Sequence, residues 1–398
     1  MNIILFDHPK IRTSLLPLTY TRPVADLRLG ILTIAEKWKY DLDDSISHLT
    51  QDYLSEKFKT VYASDNLYIN GALCPDQSLV AAITQLKKDQ GLQYQGIVLA
   101  YRSDSQLSPE QLDSIGESSQ SYQLETTLIK NTWELFLNNG DQIKADFPRL
   151  VGGRKSQPLN DPHTVVYNAS NVFIEEGVSI KAAIINAEDG PVYLGRHAEI
   201  QEGTIIQGPF AICEHSQLRL GGKMRSNTTV GPYCKIGGEV GAVIFHSHSN
   251  KAHEGFLGNS VIGSWCNLGA DTNNSNLKNN YSNVRVWNYA SQLFTDTGLQ
   301  FCGLVMADHS KCSINTMFNT GTVVGVCANI HGTGFPSKFV PSFIWGGTGV
   351  STVYDFEKAC DTIDKVTSRR DLKFDEMEKR LLKSVFDQSS VYRESKLG

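Results

Sequence analysis

The residues best suited to chemistry lie around His253, in the segment SNKAHEGFLGNSVIGSWCNLGA that begins at Ser249. An imidazole accepts a proton near neutral pH, which suits acyl transfer from a thioester to an amine, because the amine must be neutral to attack. A carboxylate or carbonyl would fix the tautomer of the ring, and backbone N–H groups would hold the oxyanion. The same histidine can also be interpreted as a partly exposed loop residue without a chemical role.

The element that must position His253 is indicated by a six-residue repeat. A period of six is typical of a parallel β-helix, in which three short sides make one coil of about 18 residues and an aliphatic residue points inward from each side. A β-sandwich would instead alternate along strands of varied spacing. The repeat positions are Leu194, Ile200, Ile206, Ile212, Leu218, Met224, Val230 and Ile236, then Phe256, Ile262 and Leu268, then Phe318, Val324 and Ile330, with Val172, Val178 and Ile184 before them.

Two interruptions of the repeat are predicted to be loops that leave the coil. They span 245–255, which contains His253, and 275–300. A solenoid tolerates insertions only where they leave a corner, and sites are often built on loops that a rigid scaffold holds. Residues 160–335 are therefore predicted to form the β-helix domain, with His253 on an excursion from it.

The regions before and after the repeat have different patterns of apolar residues. Residues 1–150 contain the apolar runs NIILF and GIVLAY, which predict buried strands of an α/β domain, and a helix at 78–88 behind a serine cap. A linking helix is predicted from near Asn131 to Gly140, where the glycine would end it. Residues 354–398 have apolar side chains at helical spacing, which predicts a C-terminal helical segment that caps the solenoid.

The composition narrows the class of protein. The chain has 398 residues, a formal net charge of −5 and a hydrophobic fraction of 40%. These values predict a folded protein and argue against a nucleic-acid partner or a polybasic membrane surface. The start is too short and too soon charged for a signal peptide, and no apolar run reaches about 18 residues, so we expect a cytoplasmic protein without a membrane partner. The eight cysteines show no CxxC pair and are predicted to be reduced and mostly buried.

The text VGPYCKIGGEV, followed by NKAHEGFLGNSVIGSWCNLGADTNNSN, resembles the hexapeptide acyltransferases. The likeness is strongest to the acetyltransferase half of the bifunctional N-acetylglucosamine-1-phosphate uridyltransferase/glucosamine-1-phosphate acetyltransferase family, in a variant Bacteroidetes-type form. The resemblance implies a left-handed β-helix and a homotrimer. It also implies acetyl transfer from acetyl-CoA to a hexosamine 1-phosphate, in the synthesis of a sugar nucleotide such as UDP-N-acetylglucosamine for the cell envelope.

The same resemblance assigns roles to individual residues. Phe256 stands where the family usually has a tyrosine, and the family lysine after an Asn-Tyr-Asp-Gly turn has no clear counterpart, which leaves the acceptor sugar open. The implied roles are catalysis for His253, substrate contact for Lys235, Lys251, Phe256, Asn267 and Asn276, and contact with acetyl-CoA for Ala270.

The segment SLLPLTYTRP, from Ser14, resembles the Leu-x-Pro-Leu-Thr text of sugar-1-phosphate nucleotidyltransferases. This resemblance implies nucleotidyl transfer from an NTP to a sugar 1-phosphate with Mg²⁺ as cofactor. The family's Gly-rich phosphate loop is missing, because the first glycine is Gly30, and Asp76 is only a weak candidate for the metal. The domain is therefore either a divergent enzyme or a sugar-nucleotide-binding domain without turnover. The implied nucleotide-binding cations are Arg12, Arg22, Arg28 and Lys37.

A zinc hydratase of the gamma carbonic anhydrase type is the alternative for the solenoid. His248 and His253 have four residues between them, and His246 adds a third imidazole. Three histidine ligands with one open position would make a catalytic zinc site. The flanking text resembles the acyltransferases instead, so acetyl transfer without a metal in this domain is the first expectation.

Overall fold

The computed structural model describes residues 1–42 and 45–397, and these divide into two compact units. Unit 1 comprises Met1–Arg28 and Leu32–Thr132, and unit 2 comprises Leu29–Ile31 and Trp133–Gly398. Within the described residues, no helix has the length and apolar character that crossing a membrane requires. All eight cysteines are buried and free, as the spacing predicted.

Unit 1 is the predicted α/β domain, built on one six-stranded sheet. Both apolar runs are strands, as predicted, since NIILF forms Asn2–Phe6 and GIVLAY lies largely within Ile97–Ser103. In sheet order the strands are Ile46–Leu49, Asn2–Phe6, Asn66–Asn70, Ile97–Ser103, Gln90–Tyr94 and Gln120–Ser121, of which the first three are parallel. The helices are Pro9–Ser14, Ile34–Leu42, Gln77–Thr84 and Pro109–Ile115, with short 3-10 turns at Val24–Asp26, Asp52–Leu54 and Gly116–Ser118.

Unit 2 contains the predicted parallel β-solenoid, and its short strands stack into three faces. On the first face they are Val165–Tyr167, Ile184–Asn186, Ile205–Gln207, Lys223–Met224, the opening halves of Glu239–Ser247 and Phe256–Ser264, Asn273–Asn274 and Met317–Phe318. On the second they are Val172–Ile174, Val192–Leu194, Phe210–Ile212, Thr228–Val230, the closing halves of the same two long strands, Leu304–Met306, Thr322–Val324 and Phe339–Val340. On the third they are Ser179–Ile180, Glu199–Ile200, Gln217–Leu218, Lys235–Ile236, Asn250–Lys251, Asn267–Leu268, Lys311–Cys312, Asn329–His331 and Ile344–Gly347, with Thr352–Val353 antiparallel at the end.

The aliphatic repeat fills the interior of the solenoid, as predicted. All eight positions from Leu194 to Ile236 are buried in one hydrophobic core, with Ile262, Leu268, Phe318, Val324 and Ile330. The phase fails at two residues. Ile184 is 43% exposed and Ile185 is buried in its place, because the inward residues Ile180 and Ile185 are five rather than six residues apart. Phe256 is half-buried and Leu257 takes the interior position, because the inward residues Leu257 and Ile262 are five rather than six residues apart.

Only one of the two predicted excursions leaves the coil. Residues 275–300 do so, and they carry the antiparallel hairpin Arg285–Asn288 and Leu293–Asp296. The prediction for 245–255 is wrong, since Asn250–Lys251 pairs in parallel with the strands before and after it. That coil has fewer residues than a regular one and contains no insertion. A shortened coil interrupts a six-residue repeat just as an inserted loop does. His253 therefore belongs to the body of the solenoid.

The helix Thr132–Val151 runs past the predicted end at Gly140. A Cβ at Gly140 would lie 2.0 Å from Asn227 Oδ1, so this glycine permits close packing of the helix on the solenoid and does not cap it. Asn139 Nδ2 donates to Asn227 O at 2.9 Å beside it. The C-terminal segment forms three helices, Phe356–Ser368, Glu376–Gln388 and Ser390–Leu397.

The C-terminal helices cover the last coil, which is the capping role that the sequence predicted. Phe343 packs against Phe356 and Phe386, at ring distances of 6.2 Å and 5.0 Å. Arg393 Nη1 donates to Ser342 O at 3.3 Å. The apolar end of the solenoid is thereby closed, as repeat proteins require.

Candidate functional site

His253 lies in the turn that leads from the third face to the first face of the next coil, between Asn250–Lys251 and Phe256–Ser264. Its side chain is exposed, and within the described residues the ring makes no hydrogen bond to protein. The imidazole is therefore open to an incoming ligand. We call residues 252–255 the His253 turn.

The backbone of the His253 turn is held between two neighbouring coils. Asp271 N–H donates to Glu254 O at 3.0 Å from the following coil. Gly255 has φ of +116°, and a Cβ there would lie 2.1 Å from Thr272 O. On the preceding coil, a Cβ at Gly238 would lie 3.0 Å from His253 O. Glycine at these positions lets three successive turns approach closely, so an exposed side chain stands on a fixed backbone.

Lys251 lies inside the solenoid, which corrects the prediction that it contacts substrate. It pairs with Ile236 on the interior row of the third face and is 1% exposed. Its Nζ donates to three carbonyl oxygens, those of Gly237 at 3.2 Å, His253 at 3.0 Å and Glu254 at 3.3 Å. Burial lowers the pKa of Lys251 to about 8. The side chain points away from any ligand on the outer surface.

Phe256 and Asn276 lie together on the first face, just beyond the His253 turn. A Cβ at Gly258 would be 2.6 Å from Phe256 Cζ and 2.9 Å from Asn276 Nδ2, so both side chains cover the same glycine. Asn276 Nδ2 donates to Asn259 Oδ1 at 2.8 Å. These predicted substrate residues are thus brought together, and one aromatic face and one amide are partly accessible there.

Ala270 lies in the turn of the following coil, directly after the strand Asn267–Leu268. It is half-buried, and its carbonyl accepts the N–H of Asn315 at 2.8 Å. The next residue, Asp271, is the one that bonds to Glu254. Ala270 therefore lies beside the His253 turn, and its contact with acetyl-CoA stays a prediction.

Lys235 and Asn267 lie on one outward row of the third face. The strand register pairs Lys235 with Asn250, and Asn250 with Asn267, so one coil separates the two predicted residues. Burial lowers the pKa of Lys235, and repulsion from Arg370, Arg219 and Arg369 adds to the shift. Several cations around one half-buried ammonium make a surface that favours an anion such as phosphate.

His248 belongs to a different corner of the coil, between the second and third faces. It stacks on Tyr233 at 4.9 Å and on Trp265 at 4.2 Å, in a row of rings that continues along the solenoid. Burial, with repulsion from Arg370, lowers the pKa of His248 to about 4. The full row is His197, His215, Tyr233, His248, Trp265 and His309.

The three histidines of the zinc alternative do not come together in the structure. His246 Nδ1 lies 3.2 Å from Ser264 Oγ, His248 is in the ring row, and His253 is at another corner. Residues 1–42 and 45–397 contain no group of three or more His, Cys, Asp or Glu side chains placed to hold a metal ion. The spacing of four residues was compatible with a helix or a loop, but the coil separates the histidines.

In unit 1, Asp7 follows the strand Asn2–Phe6 at the carboxyl edge of the parallel strands and is 1% exposed. Its Oδ1 accepts the N–H of Val24 at 2.8 Å, and its Oδ2 accepts the hydroxyl of Thr50 at 2.6 Å. Burial raises the pKa of Asp7, and the nearby Arg12 opposes this shift. The sequence interpretation missed Asp7, although a polar residue directly after a buried parallel strand marks the edge where α/β folds bind ligands.

The four predicted nucleotide-binding cations are all buried, between 0% and 8% exposed, so none is an ordinary surface charge. Arg12 Nη2 donates to Thr19 O at 2.8 Å and to Tyr53 Oη at 2.7 Å, and its Nε is 3.5 Å from Asp7 Oδ2. Arg28 Nη1 is 3.9 Å from Glu36 Oε2. Arg22 is 6% exposed and Lys37 is 0% exposed, so a nucleotide would reach Lys37 only if that side chain moved.

Two carboxylates of unit 1 bear on the expected Mg²⁺: Asp76, the weak candidate from the sequence, and Asp7, which the structure adds. Asp76 is the N-cap of the helix Gln77–Thr84, where its Oδ1 accepts the N–H of Leu79 at 2.9 Å, and this cap replaces the predicted serine cap. Both oxygens of Asp7 already accept hydrogen bonds. Both carboxylates thus already order donors of the protein, and the Mg²⁺ stays a prediction about the reaction.

Gly30 has a structural role in unit 2. Its N–H donates to Asn139 Oδ1 at 2.8 Å, and a Cβ there would lie 2.5 Å from Asp146 Oδ2. This first glycine of the chain thus packs against the helix Thr132–Val151. It does not form a phosphate loop of the kind that the nucleotidyltransferase resemblance would require.

Comparison with known proteins gives a family match for the N-terminal part of the chain. Residues 3–155 match the family model described as sugar nucleotidyl transferase. A comparison with curated proteins gave no match. Among solved structures, the chain is similar to the polySia specific acetyltransferase NeuO, with 14% sequence identity over 49% of this chain and 82% of that chain, at a TM-score of 0.26. The chain thus carries a sugar nucleotidyl transferase-like segment at residues 3–155, which supports a transferase, and then a parallel β-solenoid.

Proposed function

We propose that the solenoid transfers an acetyl group from acetyl-CoA to the amine of a hexosamine 1-phosphate, with His253 as the general base. The observation that carries the proposal is the His253 turn, where an exposed imidazole without a protein partner stands on a backbone held by two coils. Such a base can take the proton of the amine as the thioester is attacked. The reaction forms the amide, releases coenzyme A as the thiol, and needs no covalent nucleophile.

The surroundings of the turn support a sugar phosphate as the acceptor. Phe256 directly follows the turn, and with Asn276 it supplies an apolar ring and an amide, which suit a sugar face and its hydroxyls. Lys235 lies among Arg219, Arg369 and Arg370, which favours the phosphate. Asn267, on the same outward row as Lys235, is exposed and free to contact a hydroxyl.

For unit 1 we propose nucleotidyl transfer from an NTP to the acetylated sugar 1-phosphate, supported by the family match over residues 3–155. A binding domain without turnover is the second candidate. It is favoured by the hydrogen bonds that already occupy both oxygens of Asp7 and by the internal bonds of Arg12. Formation of a sugar nucleotide that requires added Mg²⁺ would favour the first candidate.

The test incubates the purified protein with acetyl-CoA, glucosamine 1-phosphate, UTP, dTTP and Mg²⁺, and identifies the products by mass spectrometry. The proposal expects an N-acetylated sugar phosphate, followed by a nucleoside diphosphate sugar. Other hexosamine 1-phosphates are offered in parallel, because the acceptor is open. If no hexosamine phosphate is acetylated, the solenoid proposal is wrong. Acetylation without a sugar nucleotide would favour the binding-only candidate for unit 1.

A further inference from the structure

One lysine occupies a position in the solenoid that packing alone would give to a hydrocarbon. On the interior row of the third face, Leu218 pairs with Ile236 and Ile236 pairs with Lys251. Leu218 and Ile236 are fully buried, and Lys251 is 1% exposed. A buried ammonium costs free energy unless its hydrogen bonds are satisfied.

The partners of Lys251 are backbone carbonyls, and within the described chain no carboxylate lies in ion-pair range of its Nζ. Two of the three carbonyls belong to the His253 turn, those of His253 and Glu254, and the third belongs to Gly237 of the preceding coil. One ammonium therefore ties the turn that carries the imidazole to the coil before it. A Cβ at Gly238 would lie 2.8 Å from this Nζ, so glycine at this position leaves room for the ammonium and its hydrogen bonds.

We propose that Lys251 is a positioning residue of the acetyl-transfer site, whose ammonium inside the solenoid fixes the backbone of the His253 turn and thereby the direction of the imidazole. This inference rests on the proposed function of His253. The ammonium does not touch substrate. It acts because a misplacement of about 1 Å at a reacting group costs up to about 10²-fold in rate.

The test compares Lys251→Met with Leu268→Met, which changes the next coil at the same face of the interior. Methionine fills the row with an unbranched side chain and removes the ammonium together with its three hydrogen bonds. We expect kcat for acetyl transfer to fall about tenfold or more in Lys251→Met with KM for acetyl-CoA unchanged, and to stay within about twofold in Leu268→Met. Equal kcat in both variants would overturn the inference.

A second measurement does not depend on activity. In protein labelled with ¹³C-histidine, Lys251→Met should shift or broaden the ring signals of His253 and leave those of His197, at the far end of the ring row, unchanged. Unchanged His253 signals would overturn the inference even if no acetyl acceptor were found. Failure of the proposed function alone would appear as an inactive wild type whose His253 signals still respond to the substitution.

If Lys251→Met does not fold, the wild type supplies the test. In ¹⁵N-lysine-labelled protein, Lys251 should give an ammonium protected from exchange with water and coupled across its hydrogen bond to the carbonyl carbon of His253. A rapidly exchanging Lys251 ammonium would overturn the inference.

Discussion

At the residue scale, the candidate site depends on which way two neighbouring side chains point. Lys251 points into the solenoid and His253, two residues later, is exposed. His248, five residues before His253, is stacked between Tyr233 and Trp265 at another corner. All three residues are polar, so the sequence alone does not separate them. In the coil, Lys251 lies in the interior, His248 in the ring row and His253 at the surface. Only His253 has the freedom that a general base needs.

In unit 1, Asp7 is expected to be important for stability. Asp7→Ala should lower the free energy of unfolding by about 3–5 kcal/mol, because it leaves the Val24 N–H and the Thr50 hydroxyl without an acceptor and Arg12 without its buried partner. Urea denaturation measures the change. The matched control is Asp65→Ala, which breaks the more exposed pair with Arg102 and should cost less than about 1 kcal/mol. Equal losses in the two variants would contradict this account of Asp7.

At the element scale, the solenoid was predictable because eight consecutive inward positions obey one period. The errors came from sides of the coil that are one residue shorter than the repeat. Ile184 and Phe256 are predicted to point inward and do not, since five residues separate the inward pairs Ile180 and Ile185, and Leu257 and Ile262. A six-residue rhythm detects regular coils, but it does not distinguish an inserted loop from a shortened coil, so 245–255 was misread as an excursion.

The candidate site was predictable in part, for a related reason. The resemblance brought out Phe256 and Asn276, which the structure places over one glycine. It misplaced Lys251, because the register that turns this residue inward depends on pairing with Ile236, which is distant in sequence. In unit 1 the cations were found but not their burial, since Arg12 is enclosed by partners as far away as Tyr53.

In the helix Thr132–Val151, we predict that replacing Gly140 by alanine lowers stability, although helix propensity alone would predict a gain. In an exposed helix, Gly→Ala stabilises by roughly 0.5–1 kcal/mol. Gly140→Ala should instead destabilise the protein, because its Cβ would lie 2.0 Å from Asn227 Oδ1. Thermal unfolding compares the effect of Gly140→Ala in the wild type with its effect in an Asn227→Ala background, where the obstructing atom is absent. A stabilised Gly140→Ala variant would show that the helix does not pack as described.

At the scale of the whole molecule, the resemblance of the sequence to the hexapeptide acyltransferases implies an assembly of three chains. We therefore predict a homotrimer, with the acyl site between neighbouring coils. Light scattering coupled to size-exclusion chromatography should give three times the mass of one chain, independent of dilution over the micromolar range. A monomer that still acetylates the sugar would contradict the prediction.

The central claim is that His253 is the base of an acetyl transfer, and the rate of that transfer in His253→Ala tests it most directly. With acetyl-CoA and glucosamine 1-phosphate, or whichever hexosamine 1-phosphate the wild type acetylates, kcat should fall by about 10²–10⁴-fold, with unchanged unfolding because the side chain is exposed. His248→Ala is the control and should keep kcat within about threefold, whereas a zinc site would need both histidines. Undiminished acetylation by His253→Ala would contradict the account.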